Sequence, residues 1–172
     1  MMKYITGKSW REKREKPIQP KVIDIPDLWA RKMGHGKMFI PTPMLIDEII
    51  KRIPIGRVTT VNIIRNHLAS EYHADMTCPL STGIDLCIAA QAAEEDRLNG
   101  ESEITPYWRV LKEDGKLNAK FPGGKQQQAE YLRAEGFEII ENEVDYSLSV
   151  KNYKNRLINL SYRLFADSYN LI

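Results

Sequence analysis

Between Pro43 and Pro54 the apolar residues Leu45, Ile46, Ile49, Ile50 and Ile53 recur at intervals of one, three and four. Asp47, Glu48, Lys51 and Arg52 fill the gaps. That period lays one apolar stripe along a helix and predicts that the charged set faces outward. Thr42 can cap the start, and Pro54 stops the helix because proline cannot continue the hydrogen-bond ladder. So apolar a stripe needs cover, which the chain must supply downstream. Thr59 or Thr60 predicts a cap for a second helix to about Leu68, with Val61, Ile64 and Leu68 inward. Pro79 restarts a third to about Arg97, with Leu80, Ile84, Cys87, Ile88 and Ala92 predicted inward. Two helices, a short joint and a third helix form a helix-turn-helix-like pattern, which many helical cores share.

The remaining elements are shorter. Pro26 to Lys32 predicts a short helix ended by Gly34, docked through Leu28 and Trp29. Tyr107 to Leu111 and Leu117 to Ala119 read as extended pieces about an Asp114-Gly115 turn. Lys125 to Glu135 reads as a helix closed by Gly136, and Phe137 to Ile140 as a strand. From Ser147, the residues Val150, Tyr153, Leu157, Leu160 and Leu164 step by three and four, which predicts a terminal amphipathic helix able to cover the domain or dimerise it. The fold class expected is mainly α with a small β wing. The organisation expected is a basic N-terminal extension with a short helix over 1–36, one domain over 37–140, and a C-terminal helix over 141–172.

Charge is distributed unevenly. The chain carries only +2 overall, but residues 1–37 hold ten Lys/Arg against four Asp/Glu, a local +6. Residues 85–103 hold six acids and one arginine, a local −5. The arm with Lys8, Arg11, Lys13, Arg14, Lys16 and Trp10 suits either a phosphate backbone or a strap packed on the domain by Trp10 and Tyr4. Cys78 and Cys87 have no ligand spacing for zinc, and about 13 Å of helical rise separates them, so free thiols in a reducing, cytoplasmic setting are expected. No metal or cofactor is implied, and no apolar run suits a membrane span.

Pro106-Tyr107-Trp108-Arg109-Val110 is the segment most suited to function. On residue types alone, Trp108 and Val110 equally suit core positions of a strand, with Arg109 paired outside. Its setting is more specific. Ile53-Pro54-Ile55-Gly56-Arg57-Val58-Thr59-Thr60, the helix pair, this segment, Gly115, Phe121-Pro122-Gly123-Gly124 and Leu132-Arg133-Ala134-Glu135-Gly136-Phe137 follow in an order that resembles the DNA-binding domain of the O6-alkylguanine-DNA alkyltransferases. The resemblance covers about residues 43–140 and implies a winged helix-turn-helix of the alkyltransferase C-terminal domain type. It is most similar to the alkyltransferase-like proteins, in which the nucleophile is replaced.

The family's chemistry needs a cysteine thiolate sustained by a histidine that a glutamate orients. Here Tyr107 stands at the cysteine position and Trp108 at the histidine position, while Glu135 is retained. A phenol titrates near 10 and an indole accepts no proton, so no catalytic residue is expected and alkyl transfer by the family route is rejected. The resemblance implies instead a ligand pocket of Tyr107, Trp108, Arg109, Phe121, Gly123, Gly124 and Glu135, where an O6-alkylguanine or another modified base would stack. The alternative is that the two large rings simply fill the old pocket. The resemblance also implies DNA contacts by Arg57, Thr59, Thr60, Val61, Arg65, Leu80, Thr82, Gly83, Arg109 and Lys112. The family's flipping tyrosine falls at Val61 and its arginine finger near Leu80, which leaves Leu80 as an apolar wedge.

The function expected is therefore a non-catalytic, alkyltransferase-like binder of double-stranded DNA linked to DNA repair. The expected partners are DNA, alkylated or plain, and a repair protein, with the chain a monomer or weak dimer. The other reading is a protein- or small-ligand-binding module that keeps the fold and has left DNA.

Overall fold

The computed structural model describes residues 7–160. Among these residues six α-helices and seven short strands follow in chain order: α1 Trp10–Arg14, β1 Lys21–Asp24, α2 Asp27–Met33, β2 Lys37–Ile40, α3 Pro43–Lys51, β3 Thr59–Thr60, α4 Val61–Glu71, β4 Met76–Thr77, α5 Pro79–Leu98, β5 Val110–Leu111, α6 Gly124–Ala134, β6 Ile139–Glu141 and β7 Leu148–Val150. The fold is mainly helical with small sheets. None of the described helices is long and apolar enough to cross a membrane.

The helix starts follow the expected chemistry. Thr42 accepts a hydrogen bond from the Leu45 N–H, and Thr60 from the Ile63 N–H, each filling a donor left open by the first turn. At the start of α5 the Thr82 hydroxyl donates to the Cys78 carbonyl at 2.7 Å. Ile46, Ile49, Ile50 and Ile53 are buried and join Ile64, Leu68, Leu86, Ala89, Ala90 and Ala93 in the main core. A smaller cluster of Ile25, Ala30, Met38 and Cys78 lies under α2 and the β1-β2-β4 sheet.

Several expectations are corrected. Asp47 is fully buried, not outside: the Thr105 hydroxyl donates to it at 2.6 Å and Lys51 lies 2.7 Å away. These partners, one local and one distant in sequence, make that burial tolerable for a carboxylate. On α5 the buried face is Thr82, Asp85, Leu86, Ala89, Ala90, Ala92, Ala93 and Asp96, whereas Leu80 and Ile84 are more than half exposed. Small residues let α5 approach α3 closely, so the core side of this helix is its alanine side.

Tyr107–Arg109 forms a 3-10 turn, and only Val110–Leu111 is a strand. A strand would send consecutive side chains to opposite faces. The turn after Pro106 buries Tyr107, Trp108 and Arg109 together. Strand β5 then pairs in parallel with β3 and not with residues 117–119 as a hairpin would require. Leu117 donates to Leu148, and the antiparallel hairpin is β6 with β7.

The helix expected from Ser147 is also absent from the described part. Leu148–Val150 is a strand, Asn152 takes a left-handed φ of 52°, and a 3-10 turn spans Tyr153–Arg156. The chain then runs beside Val58, which donates to Arg156 at 3.0 Å and accepts from Ile158 at 2.9 Å. Val150 and Leu160 do reach the core, from a strand and an extended tail. Leu164 and the rest of 161–172, with the dimerisation expected of them, lie outside the described residues.

Among the described residues the N-terminal arm is docked through charge, with Trp10 partly exposed; Tyr4, the other expected anchor, lies outside the described residues. Ser9 and Glu12 form a capping box at α1. Arg14 is buried and reaches Asp96 at 2.7 Å, and Arg11 lies 3.0 Å from Asp96 and 3.5 Å from Glu101. The Arg11 N–H donates to Glu95 at 2.7 Å. The basic arm and the acidic run of α5 thus neutralise one another. Arg11 and Arg14 are spent within the fold and do not lie ready for phosphates.

Candidate nucleic-acid interface

The Tyr107–Trp108 segment is held from three sides. The Gln128 amide, fully buried on α6, donates to the carbonyls of Trp108 and Val110, both at 3.1 Å. Gln128 also accepts from the Asn118 N–H at 2.7 Å. The Tyr107 hydroxyl donates to Glu94 at 2.9 Å, and Tyr131 donates to the same oxygen at 2.8 Å. The Trp108 indole N–H donates to Glu135 at 2.7 Å. Arg109 lies on Glu135 through Nε and Nη2 at 2.8–3.1 Å and donates from Nη1 to the Ile53 carbonyl.

The rings cover one another. Tyr107 meets Phe121, Trp108 and Tyr131 edge-on, at centroid distances of 5.1, 5.5 and 6.2 Å. Trp108 stacks on Tyr131 at 4.3 Å. Tyr107 is 0% exposed and Trp108 9%. A base entering here would have to displace Tyr131 and strip Glu94 of its donors. The expected ligand pocket is therefore corrected: Tyr107, Trp108, Arg109, Phe121 and Glu135 form a packed polar-aromatic core. Gly123 and Gly124 serve the backbone, both with positive φ at the entry to α6. A Cβ on Gly123 would lie 2.6 Å from that of Gln127, so this turn requires glycine.

Electrostatics agree with a structural role. Burial and the neighbouring Glu94 carboxylate push the Tyr107 phenol far above its ordinary value, and Tyr131 up to about 12. Burial alone would raise Glu94, but hydrogen bonds from Arg97, Tyr131 and Tyr107 outweigh it and hold the carboxyl below its usual range. A phenol so far from ionisation is no nucleophile.

The open site lies elsewhere. A groove of about 1000 Å³ runs between α4, the first half of α5 and the loop from Lys112 to Lys120. Arg65, Lys112, Lys116 and Lys120 line it beside the exposed Leu80 and Ile84, with Glu113 and Asp114 as the acids. Lys112 and Lys120 are exposed, while Lys116 reaches Asp145 at 3.3 Å. Arg65 is oriented by Asn62 at 3.2 Å and by the Thr77 carbonyl at 3.4 Å. Gly83 opens the wall, since a Cβ there would meet nothing within 4 Å. Cys87 also lines the groove, but burial raises its thiol above the ordinary value, with Lys120 opposing in part.

Of the residues expected to contact DNA, the groove brings together Val61, Arg65, Leu80, Gly83 and Lys112. Arg57 is exposed on the turn after α3 and does not line it. Thr59, Thr60, Thr82 and Arg109 are buried, and their expected DNA roles are corrected. Thr60 and Thr82 spend their oxygens on the starts of α4 and α5, and Arg109 on Glu135. Lys116 and Lys120 are groove residues that the sequence did not single out, while Trp10 was expected on the arm and Ile84 in the core. The spacing of four through Lys112, Lys116 and Lys120 was the available signal.

No protein-family model and no curated protein matches the chain. Among solved structures it is similar to S. pombe Atl1, described in complex with damaged DNA containing O6-carboxymethylguanine. Identity is 18% and the TM-score 0.43, over 67% of this chain and 93% of that one. So loose a superposition transfers no residue role.

Proposed function

We propose that this chain is a non-catalytic DNA-binding protein that seats duplex DNA in the groove between α4, α5 and the Lys112–Lys120 loop. The observation that carries the reading is the gathering of Arg65, Lys112, Lys116 and Lys120 around the exposed Leu80 and Ile84. Cations on a groove rim meet phosphates, and apolar side chains projecting from a helix can wedge against bases. The order of motifs over 43–140, which resembles a DNA-binding domain, supports the same reading. The compensation of the acidic end of α5 by Arg11 and Arg14 removes the main electrostatic objection to it. Alkyl transfer is no part of this function, because the position of the family nucleophile holds a buried hydrogen-bonded phenol. Nor does the packed Tyr107–Trp108 cluster offer a seat for a modified base.

The test is a salt titration of duplex binding. The slope of log K against log salt falls by about 0.9 for each phosphate contact removed, so Lys112→Ala and Lys120→Ala each flatten it by about one. Failure of the wild-type protein to retard any duplex at low salt would end this reading and leave the groove to a protein ligand.

A further inference from the structure

Trp10 is the one apolar side chain of α1, and it packs into neither hydrophobic cluster. Its helix is only five residues long, yet Arg11 and Arg14 fasten it to Glu95, Asp96 and Glu101. The indole is 37% exposed and lines the groove together with Ile84, Cys87 and Ile88. The Lys13 ammonium stands 4.0 Å from the ring centroid. A strap held by ion pairs thus delivers an aromatic ring to the wall of a cationic groove, with the Lys13 ammonium resting on that ring.

We propose that Trp10 is a ligand-contacting residue, and that the groove prefers DNA carrying an unpaired or bulged nucleotide over perfect duplex. The inference rests on the DNA-binding reading of the groove. In perfect duplex the faces of each base are covered by its neighbours, so an indole beside it has nothing to stack on. An unpaired base offers a free π-face, and aromatic stacking on such bases tolerates any sequence. Lys13 is placed to take the phosphate beside that base. The packed cluster around Tyr107 leaves an extruded base no place there, whereas the Trp10 wall is open. Arg11 and Arg14 act as positioning residues, since they hold the strap and touch no ligand.

The experiment compares one duplex with the same duplex carrying a single bulged adenine, by anisotropy at fixed salt. The wild-type protein binds the bulged form about tenfold tighter. Trp10→Ala loses affinity for the bulged form about tenfold more than for the perfect one, and Trp10→Phe keeps most of the preference. Trp29→Phe, on the far patch of α2, isolates Trp10 emission against the buried Trp108, and the bulged duplex quenches it. Equal binding of both duplexes by wild type, or a preference that survives in Trp10→Ala without quenching, overturns the proposal and leaves duplex binding standing. Absence of binding to either duplex removes the groove's DNA role, and this proposal with it.

Discussion

The Trp108 indole N–H and the Arg109 guanidinium converge on the single carboxylate of Glu135, at 2.7 and 2.8 Å. Consecutive residues can share that acceptor only because the chain turns in a 3-10 helix at this point. Both donors are nearly buried, so the carboxylate satisfies a charge and a polar N–H that water cannot reach. Glu135→Ala strands a buried guanidinium, for which a destabilisation of about 3–5 kcal/mol is expected. Glu135→Gln keeps one acceptor and costs less. Denaturant unfolding of the two variants measures the difference, and equal midpoints would show that the pair is dispensable.

Chemistry at Tyr107 is not expected, for the same structural reasons. Its hydroxyl is a donor to Glu94, and burial with that carboxylate opposes its ionisation. Incubation with a duplex containing O6-methylguanine is expected to leave the intact mass of the protein unchanged. Emission from Trp108 is expected to stay constant as well, because Tyr131 covers the ring at 4.3 Å. A mass gain of one alkyl group on Tyr107 or Cys87 would refute this.

The helices were largely legible in the sequence, because caps and periodicity are local. Thr42, Thr60 and Gly136 marked boundaries that the structure keeps within a residue or two. The faces were harder. Residue type favours Leu80 and Ile84 as core over Ala89 and Ala93, but close approach to α3 selects the small residues and leaves the large ones to the groove. Asp47 read as a solvent position because its partners Arg14 and Thr105 lie far off in sequence. Tyr107 and Trp108 read as strand residues by type, and the contacts from Gln128, Glu94 and Glu135 that impose the turn are all long-range. The tail from Val150 to Leu160 carried a helical spacing that strand pairing and Val58 override.

Asp85 is expected to make stability depend on pH. It is 7% exposed on α5, and burial raises its carboxyl from 3.8 to about 7. The folded state therefore holds the proton more tightly than the unfolded chain. The stabilisation is fully present below the unfolded value and is lost as pH rises through the folded one. Between pH 4 and 7 this group lowers stability by on the order of 1 kcal/mol per unit. Asp85→Asn, which cannot ionise, is expected to flatten that slope and to gain stability above pH 7. Melting temperatures of both proteins from pH 4 to 8 check this, and parallel profiles would remove Asp85 as the cause.

Gly83 separates groove function from fold stability. It sits inside α5, where glycine costs about 1 kcal/mol relative to better helix formers, and a side chain there meets open space. Gly83→Glu is therefore expected to melt no lower than the wild type. The same change puts a carboxylate on the wall between Leu80 and Ile84, in the groove that Arg65 and Lys112 also line. Repulsion of phosphate there, together with partial neutralisation of the cations, is expected to weaken duplex binding at least tenfold at low salt. Arg57→Glu adds the same carboxylate at an exposed position off the groove and is expected to weaken binding much less. Titration of both variants with one duplex, beside their melting curves, gives the comparison. Equal losses for the two would mean that simple net charge governs binding and that the groove between α4 and α5 holds no DNA.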